Sequence, residues 1–211
     1  MSTSLIYRSP RCYELLMRIL YGPHYAARMR VLAEQVPPGS SALELCCGPG
    51  TLYWRHLRQR TSNYIGIDVN ARFTAALRRD GVDARMVDLA RSTEPLPEAD
   101  VVLIQASLYH FIPEADAIID RMLAAARDRV IVSEPVRNVA SSEIPIIRLL
   151  GRRAADPGVG GHAQRFTEET LDHLMGRYGE HLASAFTIPG GREKVFVLDA
   201  RPSPLEARPG R

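Results

Sequence analysis

The sequence predicts an α/β fold, a doubly wound and mostly parallel seven-stranded sheet that ends in an antiparallel hairpin. Three observations lead there. Short apolar segments alternate with helical segments from residue 41 to residue 135. Those apolar segments run continuously, without an in–out alternation, which marks strands covered on both faces. Residues 181–188 and 193–200 are β-rich and are joined by Pro189-Gly190-Gly191-Arg192, a hairpin signature.

Taken in order, residues 41–46 read as a buried strand that runs into a glycine turn, Gly48-Pro49-Gly50, and a helix over 51–60. A second strand, 64–67, ends at Asp68, and a helix over 71–79 stops at Gly81. Residues 84–87 form a third strand that ends at Asp88. The fourth, 99–105, is apolar up to Gln105 and leads to a helix over 113–126, whose early turn carries Glu114 and Asp116 as the helix dipole prefers. A fifth strand covers 129–133, and Glu134-Pro135 ends it. Thr167 can cap a helix to residue 178, with Glu168 and Glu169 in its first turn. Right-handed crossovers between parallel strands bring Gly48, Asp68, Asp88 and Gln105 to one edge, where ligands bind in such sheets.

A chain of 211 residues fits one domain with a small lid. The expected division is an N-terminal helical lid over 1–38, broken near Gly22-Pro23, a main domain over 39–200 with an inserted lid segment at 138–161, and a disordered tail over 201–211. No apolar run approaches ~20 residues, so no spanning helix is expected. The N-terminal residues lack a basic region followed by an apolar core, which makes a cytoplasmic protein the expectation. The net charge of +3 is too small and too dispersed to indicate nucleic acid. Cys12, Cys46 and Cys47 have neither metal-ligand spacing nor a disulfide pattern, so no metal is expected, and the adjacent pair reads as small residues in a crowded turn.

The ordered set Glu44-Leu45-Cys46-Cys47-Gly48-Pro49-Gly50, Tyr64-Ile65-Gly66-Ile67-Asp68 and Met86-Val87-Asp88-Leu89, with the closing hairpin, resembles the Rossmann-like (class I) S-adenosylmethionine-dependent methyltransferases. The resemblance covers about residues 40–200. It implies S-adenosyl-L-methionine as cofactor. Gly48 and Gly50 would let backbone approach it, Glu44 would lie near its ammonium end, and Asp68 would accept both ribose hydroxyls. Asp68 also reads as the N-cap of the helix starting at Ala71, and the two roles cannot both be optimal. Asp88 would meet the adenine amino group, Val69 and Leu89 would also belong to the cofactor site, and Gln105 would lie at the sulfonium end. Cys46 stands where many members carry a first glycine, and a small residue there still permits the turn.

On the acceptor side, His110 is the candidate general base, its ordinary pKa being near neutrality. It reads equally as a histidine packed between Tyr109 and Phe111. Tyr13, Tyr21, Tyr109, His110, His162 and Arg165 are the candidate substrate contacts, although the N-terminal tyrosines fit packing of the lid better, and Arg165 could pair with Glu168 or Glu169. Methyl transfer needs positioning more than acid–base chemistry, so a base need not exist. After Gln105 there is no Asn/Asp-Pro-Pro-Tyr/Phe sequence, which disfavours nucleic acid and glutamine side chains as acceptors and leaves a small molecule. The apolar and basic stretch 144–153 reads first as pocket closure, then as a homodimer contact, and last as a membrane-surface contact. Two rivals remain: a nicotinamide-dependent oxidoreductase, whose third glycine would fall at Tyr53, and a non-catalytic module that keeps the fold.

Overall fold

The computed structural model describes Arg18, Gly22, residues 24–136 and residues 164–202. Strands β1 (Ser41–Leu45), β2 (Asn63–Asp68), β3 (Asp83–Met86), β4 (Ala99–Gln105), β5 (Ala126–Pro135), β6 (Leu182–Thr187) and β7 (Glu193–Asp199) make one sheet in the order β3-β2-β1-β4-β5-β7-β6. The first five are mutually parallel, and β7 runs antiparallel to both β5 and β6. The chain winds outward from β1 to β3, then returns to lay β4 beside β1. That reversal opens a crevice at the carboxyl ends of β1 and β4.

Strand alternation distributes the core over both faces. Leu43, Leu45, Ile67, Ile104 and Val132 pack with α3 (Ala115–Ala125) and α4 (Glu168–Gly176) on one side. Ala42, Tyr64, Leu103, Ile131 and Val195 pack on the other side with α1 (His24–Glu34), Leu57 and Leu77 of α2 (Ala71–Arg79). Each fully buried leucine or isoleucine contributes about 1.5–3 kcal/mol. This two-sided burial is why the inner strands β1, β2 and β4 carry no polar alternation, whereas the edge strands β3 and β6 are largely exposed.

The local signals mostly act where they stand. Asn70 caps α2 by accepting from Arg72 N–H and Phe73 N–H, so the helix-cap reading of Asp68 is not realised. Thr167 and Thr170 form a reciprocal capping box on α4, which ends at Gly176 rather than at Tyr178. The break at Gly22 has φ +55°, with its N–H on the Arg18 carbonyl. The helix over 51–60 departs from expectation: after Thr51 and Leu52 it widens into a π-helical turn, Tyr53–Leu57, closed by Arg58 N–H on Tyr53 O at 2.9 Å. This turn sets the Tyr53 ring 4.3 Å from Tyr64. β5 is longer than expected because β7 pairs with it from Arg129 through Pro135. Residues 1–17, 19–21 and 23 of the lid, the whole inserted segment 138–161 and residues 203–211 of the tail lie outside the described residues. Among those described, no helix is long and apolar enough to cross a membrane.

α1 is fastened to the terminal hairpin. Arg28, 3 % exposed, donates through Nε to Oε1 of the fully buried Glu193 at 2.5 Å. Ser133 Oγ donates to the other Glu193 oxygen at 3.4 Å. At the hairpin turn, a Cβ on Gly190 would lie 2.8 Å from His24. Removing one member of a buried ion pair strands the other. Arg28→Met is therefore expected to lower unfolding free energy by about 3 kcal/mol or more in urea titration, and Arg28→Met/Glu193→Leu to recover most of it.

Candidate functional site

The crevice is built on the glycine turn. Gly48 has φ +55°, and a Cβ there would meet no protein atom within 4 Å, so its backbone borders open space. Gly50 differs: at φ +71° its Cβ would lie 2.6 Å from the Leu77 side chain, so that glycine seats the turn on α2. Cys46 adopts φ +54°, the left-handed conformation a first glycine would take freely. Burial pushes the neighbouring Cys47 thiol well above its ordinary pKa, so it acts as a compact apolar group.

Asp68 ends β2 directly beneath this turn. Its Oδ2 accepts Gly48 N–H at 2.7 Å and its Oδ1 accepts Asn70 N–H at 2.8 Å. A carboxylate has about four lone-pair directions, so two remain for a ligand. Burial raises its pKa, against the lowering effect of those two N–H groups. Val69, next in the chain, is 46 % exposed, and Met86 at the end of the adjoining strand is 55 % exposed. Together they put apolar surface beside the clipped carboxylate.

Glu44 lies on the α1 side of β1. Tyr64 OH donates to its Oε2 at 2.6 Å. The register sets Gly66 opposite Glu44, and a Cβ on Gly66 would come within 2.8 Å of Cys47 Sγ and 3.2 Å of the Tyr64 hydroxyl. Glycine at that point gives Tyr64 room to reach the acid. Burial pushes the Glu44 pKa up to about 7, the Tyr64 hydrogen bond opposes this, and Asp68 adds to it. Glu44, Cys46, Gly48 and Gln105 line one cavity, and Tyr25, Arg28 and Met29 of α1 wall it. The Gln105 Nε2 is buried there without a hydrogen-bond partner among the described residues.

Beyond Gln105 the chain turns sharply. Ala106 has φ +51°, and residues Leu108–Phe111 form one 3-10 turn. Leu108 N–H donates to Oε1 of Glu134, a fully buried acid at the end of β5 that the sequence reading passed over as a strand terminator. Its other oxygen, Oε2, has no hydrogen-bond partner among the described residues. Burial pushes the Glu134 pKa up to about 8, the Leu108 N–H pulls against this, and Glu193 adds to it. A carboxyl directly before a proline at a strand end was the available sign. Tyr109 is buried, with the His110 ring 3.9 Å from its own and the Arg165 guanidinium 3.4 Å above its centre.

The structure thus brings Glu44, Cys46, Gly48 and Gln105 into one cavity, with Asp68 clipped to the cavity's glycine turn. Tyr109, His110 and Arg165 form a second group past Ser107, where the cavity wall ends. Asp88 follows β3 in a loop, its carboxylate accepting Ala90 N–H at 3.2 Å and lying 3.6 Å from Arg91. Leu89 packs its side chain into the core. Arg165 meets neither acid proposed for it; Glu168 pairs with Lys194 instead. Tyr25 is buried against the sheet, as packing of the lid requires. Tyr13, Tyr21 and His162 lie outside the described residues. Among the described residues no group of three or more metal-ligating side chains is assembled.

A family model described as a methyltransferase domain matches residues 20–183. The chain is 33% identical over 134 residues to trans-aconitate 2-methyltransferase of Mycobacterium ulcerans (strain Agy99), covering 62% of this chain and 49% of that protein. It therefore spans about half the length of the curated relatives it matches. Among solved structures, magnesium protoporphyrin IX methyltransferase from Synechocystis PCC 6803 with bound SAH superposes at TM-score 0.62 with 17% identity, over 92% of this chain and 95% of the other. A SAM-dependent methyltransferase from Aquifex aeolicus superposes at TM-score 0.58 with 10% identity, over 88% and 97%. At these identities the structures show a shared fold.

Two outcomes follow from this geometry. Glu44 and Glu134 keep their protons in the folded chain at pH values where the unfolded chain, with carboxyls near 4.5, has lost them. The folded state binds the extra protons between about 4.5 and 8, so stability falls as pH rises through that window. Melting temperature of the ligand-free protein should decline over that range, and Glu134→Gln should flatten the upper part. A melting temperature that climbs instead would show the acids ionised in the fold. Separately, Cys46→Val places a β-branched residue at left-handed φ and should cost about 2 kcal/mol in urea unfolding, whereas Cys46→Gly should stay within about 1 kcal/mol of the parent.

Proposed function

The chain belongs to the class I S-adenosylmethionine-dependent methyltransferases, and from that premise we propose that it methylates a small-molecule acceptor. The observation that carries the methyltransferase reading is the clip of Asp68, at the end of β2, to Gly48 in the turn after β1. It fixes a carboxylate with unused acceptor capacity beside backbone that borders open space.

The residues present fit the cofactor. Asp68 would take the ribose hydroxyls on its two remaining lone pairs, and Val69 would lie against the nucleoside. Glu44 would face the ammonium group, whose charge would draw the acid into its ionised form. The Gln105 Nε2, without a hydrogen-bond partner among the described residues, would donate to an acceptor on the methionine part of the cofactor, such as its carboxylate. Asp88 would meet the adenine amino group with the acceptor capacity its loop leaves free. When bound, S-adenosylmethionine supplies a methyl group already activated by its positive sulfur.

The protein's own task is then to hold the acceptor atom in line and keep water out. α1 closes one side of the cavity through Tyr25, Arg28 and Met29. His110, on the 3-10 turn that follows the cavity-lining Ser107, would be the base where the acceptor atom must lose a proton. The Tyr53 ring fills the position a third dinucleotide glycine would occupy and packs on Tyr64, which argues against a nicotinamide cofactor.

Calorimetry is expected to give micromolar affinity for S-adenosylmethionine or its demethylated product, and absence of both would sink the proposal. Asp68→Ala should weaken that binding about 10- to 100-fold, the value of charge-assisted hydrogen bonds lost. An unchanged constant would remove Asp68 from the site.

A further inference from the structure

Arg165 stands out among the arginines of this chain. It lies just before the N-cap of α4, half-buried, with its guanidinium stacked 3.4 Å above the Tyr109 ring centre. Stacking on a ring face uses the charge and leaves the in-plane N–H donors outward at the edge of the fork. Among the described residues none of those donors meets an acceptor. Arg58 also stacks, on Trp54 at 5.2 Å, but it is exposed on the first crossover helix.

The neighbouring acid does not use Arg165. Glu134 feels its charge, yet this is the weakest of the influences acting on that carboxyl. Glu134 Oε1 takes Leu108 N–H, and Oε2 has no hydrogen-bond partner among the described residues, the guanidinium included. A counterion pair would place an Arg N–H on that oxygen. Burial also favours the neutral form of Glu134 at neutral pH, which leaves Arg165 with its full charge.

Arg165 is held beside the turn by which the chain leaves the cavity. Its stacking partner Tyr109 shares a turn with His110, two residues beyond the cavity wall at Ser107. A partly desolvated planar cation with a free donor edge selects a planar anion, which it can grip with two parallel hydrogen bonds.

We propose that Arg165 recognises the methyl acceptor, and that the acceptor is an organic anion whose carboxylate docks on the free edge of the guanidinium. The assignment rests on the methyltransferase reading and names the substrate class for it. Tyr109 sets the plane of the fork, and the acceptor's charged group is read separately from the atom that takes the methyl.

The test uses the full chain, labelled S-adenosylmethionine and a small-molecule extract divided on an anion exchanger at neutral pH. Labelled product is expected from the retained fraction. Arg165→Gln should raise the acceptor KM about 10- to 100-fold with a smaller change in kcat, and Arg165→Lys should not restore it, because an ammonium cannot reproduce the stacked fork. Affinity for the demethylated cofactor product should stay at the parental value in both variants, which shows them folded. If Arg165 served only to balance Glu134, the Arg165→Gln defect would disappear in a Glu134→Gln background, and that rescue would overturn the proposal. So would product arising solely from the unretained fraction, or a retained acceptor that Arg165→Gln methylates as well as the parent. Loss of cofactor binding by the parent protein is a different result and would defeat the methyltransferase reading itself.

Discussion

The carboxylate of Asp68 is the point on which the site depends. Its two oxygens hold Gly48 N–H and Asn70 N–H, one on the turn after β1 and one at the start of α2. Hydrogen bonds to a charged acceptor are worth about 1.5–3 kcal/mol each, more than neutral ones. They must be, because burial pushes this acid toward its neutral form. The turn, the second strand and the second helix are thereby fixed to one another through a single side chain. Anything bound over Gly48 inherits its position from that clip.

The sheet separates two tasks by the parity of its strands. Glu44, Gln105, Ser133 and Glu193 fall on the side of α1, where the cavity and the buried Arg28 pair lie. Glu134 is offset by one residue from Ser133 and falls on the side of α3 and α4, with Tyr109 and Arg165. These two groups of polar side chains therefore sit in different environments, although they meet at one edge. Ser107 joins them: it lines the cavity, and it precedes the residue whose N–H the buried Glu134 accepts. A displacement of that turn would be felt on both sides.

The strand–helix alternation, the Ala71–Arg79 helix, the Thr167 cap and the terminal hairpin were legible because each has a local cause in periodicity or capping. The placing of Gly48 and Asp68 at one edge of the sheet was legible because it follows from strand ends in a parallel sheet. The polar network was not. Arg28 and Glu193 are 165 residues apart, and their pairing arises only when α1 crosses to the last hairpin. Glu134 read as an ordinary strand terminator, since nothing local shows that β7 extends β5 past it and buries it. Arg165 had two acids within four residues, so a helix-end ion pair was the natural expectation; the stacking on Tyr109 needs the tertiary fold.

Backbone strain also shapes the mouth of the crevice. Cys46 and Ala106 follow neighbouring strands, and both sit at left-handed φ, +54° and +51°. Each costs about 1 kcal/mol or more compared with glycine. Both conformations are enforced from outside: Cys47 N–H is held on Ile67 O at 3.0 Å, and Ala106 N–H on Ser133 O at 2.7 Å. Each bond reaches to the next strand outward from the β1–β4 pair, so the two chains are drawn apart where the sheet reverses its order. The opening is thus a product of sheet topology acting on backbone. That explains how a cysteine can stand in a glycine's place without losing the turn.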